Sequence, residues 1–160
     1  MRRLIFASLV ASTLVLMSML SVPAVAKPCC GEALKCTIEL ELDLEPAEGE
    51  PDWNGAIGGD IEGIYQLWER WDEMFFTGPE NNTTEHYFEN FVIQAEDNRI
   101  EGIDQGVFNL GNLKFHYTGS VTGAEGDWDY LDGWLLHGQG VVKISETGVT
   151  ATGTMTLVPP

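Results

Sequence analysis

The sequence predicts an all-β protein, an eight-stranded antiparallel up-and-down barrel, with a two-sheet β-sandwich as the alternative. Three observations carry this. Leu34 to Leu44 alternates apolar and polar residues, the period of a strand with one buried and one wet face. Seven further segments repeat that alternation or carry the β-branched and aromatic residues of strands. Glycines interrupt several of them, as tightly curved sheets require.

The N-terminal segment comes first. Arg2 and Arg3 precede an apolar run from Leu4 to Leu20, and Ser21-Val22-Pro23-Ala24-Val25-Ala26 ends it with an Ala-x-Ala site. This is the pattern of a secretory signal peptide over residues 1–26, with an uncleaved anchor as the alternative. The expected location is secreted or extracytoplasmic. Residues 27–33 then form a cysteine-containing segment, and 34–160 a single barrel domain.

With 25 acidic and 8 basic residues, the formal net charge is −17. Nucleic acid is excluded as a partner, because phosphate would be repelled. An anionic membrane surface is excluded likewise, so no membrane partner is expected once the signal is removed. Such acidity serves solubility, tolerance of salt, or divalent cations.

Cys29, Cys30 and Cys36 cluster near the N-terminus. In an oxidising compartment a disulfide is expected, with Cys36 joined to Cys29 or Cys30 and the third thiol left over. Asn81-Asn82-Thr83-Thr84 holds two overlapping glycosylation sequons, at Asn81 and Asn82, behind the turn signal Gly78-Pro79.

In the first strand, Leu34, Cys36, Ile38, Leu40, Leu42 and Leu44 share a face. Glu45 to Asp52 is a loop. Trp53 to Gly63 is the second strand, with Trp53, Ile57 and Ile61 together. Ile64 to about Asp72 is the third, although Leu67, Trp68 and Trp71 also suit one helical turn. Glu85 to Ala95 and Arg99 to Phe108 are the fourth and fifth, joined by Glu96-Asp97-Asn98.

Leu113 to Thr122 is the sixth strand, with Leu113, Phe115, Tyr117 and Val121 on one face. Gly123 to Gly133 is too long for a hairpin, and Asp127 suits the cap of a helical turn over Trp128 to Leu131 ended by Gly133. Gly133 to Ser145 is the seventh strand and Val149 to Val158 the eighth. An open meander this long would expose two edges; closure removes them and leaves an interior that is filled or holds one small ligand.

The run Thr118-Gly119-Ser120-Val121-Thr122-Gly123-Ala124-Glu125-Gly126-Asp127-Trp128, continuing through Leu131-Asp132-Gly133, resembles the glycine-rich strand, turn and aromatic segment of allene-oxide-cyclase-like and dirigent-like barrels, relatives of the calycins. It covers about fifteen residues besides the strand count. The resemblance implies a barrel with an apolar cavity and homo-trimers. It carries no catalytic residue across.

The chemistry-bearing motifs are sparse. Beyond residue 26 the serines are Ser120 and Ser145, neither in a G-x-S-x-G elbow, and there is no phosphate loop or H-E-x-x-H. His116 and His137 fall on neighbouring strands, more simply read as a solvent-facing pair than as two metal ligands. His86 has no motif around it. Glu125, Asp127, Asp129 and Asp132 crowd one loop, a candidate calcium group without EF-hand spacing. No other cofactor is expected. Asp60, Glu62 and Asp104 sit in glycine-rich strands, and one facing inward would have its pKa raised by burial.

Trp53, Tyr65, Phe115, Tyr117 and Trp134 are the candidate ligand-binding residues. The function expected is an exported barrel binding a small apolar or amphipathic molecule, or a surface partner. The alternatives are an isomerase or cyclase of the allene-oxide-cyclase type and a structural cell-surface protein. An enzyme is the less favoured reading, because the nucleophile and acid–base arrangements are poor.

Overall fold

The computed structural model describes residues 31–79 and 83–160. The signal segment, Cys29, Cys30, Asn81 and Asn82 lie outside the described residues. The strands are β1 (Leu34–Leu42), β2 (Trp53–Gly59), β3 (Gly63–Glu69), β4 (Phe75–Thr77), β5 (Thr84–Ala95), β6 (Asn98–Asn109), β7 (Lys114–Glu125), β8 (Leu135–Ser145) and β9 (Gly148–Val158).

All pair antiparallel in the order β3-β2-β1-β9-β8-β7-β6-β5-β4, and β3 also pairs with β5. That pairing closes eight strands into an up-and-down barrel. The β1–β9 register, Leu34↔Leu157 through Leu42↔Val149, joins the first strand to the last. The sandwich alternative is thereby set aside.

The ninth strand, β4, is a short addition that three residues of alternation cannot announce. It extends the wall that β3 begins. Along the same edge of β5, β3 pairs with Glu89 to Gln94 and β4 with Thr84 to His86. Between them the Arg70 N–H still reaches the Phe88 carbonyl at 2.8 Å. The excursion from Arg70 to Met74 carries Trp71 and Met74 to one end of the barrel.

Several element ends differ from expectation. β1 stops at Leu42, and Leu44 is 74 % exposed rather than inward. Asp43 turns the chain there: its N–H donates to the Asp52 carbonyl and its Oδ1 accepts from the Glu45 N–H. β3 is extended throughout, so Leu67 points in and Trp68 points out, and no helical turn forms. The segment after β7 is a 3-10 turn, Gly126–Leu131. Asp127 does not cap it; instead the Asp127 N–H donates to Asn98 Oδ1 at 2.7 Å.

Inside, the two halves of the barrel differ. One end is packed shut by Leu34, Ile61, Ile93, Ile100, Leu131, Trp134 and Leu157, all buried. Leu131 from the 3-10 turn plugs this end, and Tyr130 meets Trp134 edge-on at 5.8 Å between centroids. Side chains fill such an eight-stranded interior when they are large enough. At the other end they leave a cavity.

Candidate functional site

The inward residues nearest the second end build the site. β1 supplies Ile38, Leu40 and Leu42; β8 and β9 supply Val142, Ile144, Val149 and Ala151. Trp53 opens β2, while Phe108 ends β6 and Phe115 begins β7. Trp71, Met74 and Phe76 lean in from the β3–β4 excursion and β4. Together they line a cavity of about 450 Å³. Trp71 (62 % exposed), Phe76 (48 %) and Ile144 (65 %) mark its rim.

Glycine keeps the lumen clear. Tyr117 lies directly across from Gly138, and Tyr87 from Gly106. A Cβ on either glycine would overlap the ring of its tyrosine. Each ring therefore lies against the barrel wall, over a missing side chain, rather than across the bore.

The polar groups are gathered on one side. Glu69 of β3 and Glu85, Tyr87 and Glu89 of β5 face the cavity, with Tyr65 and Tyr117 beside them. Among the described residues, no lysine, arginine or histidine lines it. Glu89 is buried at the inner end, and opposite it in the β5–β6 register stands Asp104, also buried. The Asp104 oxygens accept no hydrogen bond from another residue. Two facing carboxyls can hydrogen-bond only if one holds a proton.

Burial disfavours the charged form of all these acids. Desolvation pushes Asp104 up to about 7. It raises Glu89 well above the usual carboxylate range, with the Asp104 and Glu69 charges adding to it. Glu69 is raised to about 7 by desolvation, although the Trp53 indole N–H donates to its Oε1 at 2.8 Å. Its other oxygen, Oε2, is buried without a partner. Glu85 is raised by burial too. Desolvation holds Tyr65 and Tyr117 neutral, and the buried Tyr117 hydroxyl has no hydrogen-bond partner.

Asp52 braces this wall from behind. The Glu69 N–H donates to its Oδ2 at 2.8 Å, and the Trp71 indole N–H donates to its Oδ1 at 3.1 Å. One buried carboxylate thus fixes both the end of β3 and the tryptophan at the rim.

Four of the five candidate ligand-binding residues, Trp53, Tyr65, Phe115 and Tyr117, line the cavity. Trp134 does not; it plugs the opposite end, because the 3-10 turn folds its side chain under Tyr130. Asp104 is the inward acid of its trio, the cross-strand partner of Glu89, whereas Asp60 and Glu62 are exposed. Glu69, Glu85 and Glu89 were not among the sequence candidates. Their signal was present in β5, where Glu85 and Glu89 share the alternating row of Tyr87, Phe91 and Ile93.

Among the described residues, no three histidine, cysteine, aspartate or glutamate side chains gather as metal ligands, and Glu125, Asp127, Asp129 and Asp132 are not brought together as such a group. His116 and His137 are exposed on the outer wall, and His86 stacks on Phe75 at 4.4 Å. Cys36 carries a free thiol on the inner face of β1, buried and raised in pKa by desolvation. Among the described residues Cys36 makes no disulfide and its side chain is turned into the core; its expected partners, Cys29 and Cys30, lie outside them.

No family model, no curated protein and no solved structure matches this chain. The eight-stranded closed barrel is the part of the sequence resemblance that the structure bears out.

Proposed function

We propose that this is an exported binding protein that takes a small apolar or amphipathic molecule into the open end of its barrel. The observation that carries the reading is the contrast between the two ends. One is packed shut, and the other keeps about 450 Å³ lined by aliphatic and aromatic side chains. A cavity of this size, mostly apolar with a few convergent polar groups, has the character of a small-molecule site. Export rests on the signal pattern of residues 1–26.

The test is titration of the mature chain with octanol, followed by the fluorescence of Trp53 and Trp71. Val149→Trp, which places an indole in the lumen, is the control. Saturable binding that this substitution abolishes is the expected result. Binding that Val149→Trp leaves intact would place the ligand elsewhere and overturn the reading.

A second reading is favoured by Glu69 and Glu89. Carboxyls whose pKa is raised by burial beside an apolar cavity suit a general acid in an isomerisation or cyclisation. Rearrangement of a reactive epoxide by the wild type, lost in Glu89→Gln, would support it. A product distribution identical with and without protein would sink it.

A further inference from the structure

The barrel order places the acids and the aliphatics on opposite walls. Counting round the ring, the β3–β5 seam lies across the bore from the β8–β9 pair. The seam carries Glu69, Glu85 and Glu89, and the facing wall carries Val142, Ile144, Val149 and Ala151. The cavity is thus amphipathic across its width. Among the described residues that line it, the one ionisable class besides tyrosine is carboxyl, and none is basic. Aromatic rings of Trp53, Trp71 and Tyr87 flank the acidic wall.

We propose that the ligand is an amphipathic organic cation, an ammonium or amine on an aliphatic or aryl body. Its nitrogen meets Glu69 and Glu89 on the β3–β5 wall, and its body packs on the β8–β9 wall. The inference rests on the ligand-binding reading of this cavity and deepens it. A cation supplies a charged donor on a wall that has none: Glu69 lines the cavity, and its Oε2 is buried without a partner. An ionised carboxyl paired with an ammonium makes a short, charge-assisted hydrogen bond. Aromatic faces add attraction for the same charge and none for an anion. A carboxylate or phosphate head group would meet three acids and no base, and would be rejected.

The experiment compares octylammonium, octanol, octanoate and methylammonium by calorimetric titration of the mature chain at pH 8 in 0.5 M NaCl. The salt screens attraction to the acidic surface. Octylammonium is expected to bind at least tenfold more tightly than octanol, with octanoate and methylammonium not binding. Glu69→Gln and Glu89→Gln, which keep the side-chain shape, are expected to remove that preference, so that octylammonium binds no more tightly than octanol to the same variant. Glu85→Gln, nearer the rim, is the second variant should either inner one fail to fold. Octanol binding as tightly as octylammonium overturns the cation assignment and leaves the cavity reading standing. So does a preference that all folded glutamine variants retain. Failure of every octyl compound to bind overturns both.

Discussion

Glu89 and Asp104 stand directly opposite one another on the inner wall, both buried, 6 % and 5 % exposed, with no basic residue between them. The pair is stable only while it holds a proton. An acid whose pKa is raised on folding stays protonated in the native state at a pH where the unfolded chain has lost its proton. Stability then falls as pH rises through the interval between the two values. For Asp104 and Glu69 that interval runs from the ordinary carboxyl range, about 4, to about 7. For Glu89 the shift has the same sign, from burial and the neighbouring carboxyls. Thermal unfolding is therefore expected at a higher temperature at pH 5 than at pH 8. A Tm that rises between those values would contradict the buried acids.

Glu89→Gln removes the titration but keeps the shape. The expected outcome is a higher Tm than wild type at pH 8 and a shallower dependence on pH. Differential scanning calorimetry of both chains at pH 5 and pH 8 measures it. A parallel loss of stability at both pH values would mean that Glu89 contributes through packing instead.

Tyr117 occupies the space that Gly138 leaves vacant. Gly138→Ala should force the ring into the bore, at a cost of about 1–3 kcal/mol for overpacking. Tyr117→Leu in the same chain should restore part of the loss, because its shorter side chain withdraws from the added methyl. Urea unfolding of the single and double variants checks this; additive losses would argue against the contact.

Asp52 accepts from two donors, the Glu69 N–H and the Trp71 indole. Asp52→Ala leaves the backbone donor unpaired and should destabilise by about 1–3 kcal/mol. It should also free Trp71, seen as lowered fluorescence anisotropy. An unchanged anisotropy would mean that the rim tryptophan is held by packing alone.

The Cys36 thiol is buried and raised in pKa, so the reactive thiolate is scarce and hidden. Iodoacetamide at pH 8 should modify Cys36 only after denaturation, as peptide mass mapping would reveal. Labelling in the native chain at the rate of a free thiol would require the β1 end to open.

Local pattern was enough to read most of this barrel. Period-two alternation in Leu34–Leu42 and Gly148–Val158 is a direct consequence of strand geometry, so strand identity and inward rows were legible residue by residue. Glycine punctuation and the short turns then implied closure. The same logic placed Trp53, Phe115 and Tyr117 on apolar faces.

What the sequence by itself determined was thus the strands, their faces and the strongly acidic chain. What only the tertiary structure decided was which inward residues meet. Strand parity says that a side chain points in, but not at which height of the barrel it lies; Trp134 and Tyr117 share the inner wall and end at opposite halves. The gathering of Glu69, Glu85 and Glu89 depends on β3 pairing with β5 across the β4 excursion, a long-range register that no local period encodes. Their protonation depends in turn on burial, which exists only once the barrel has closed around them.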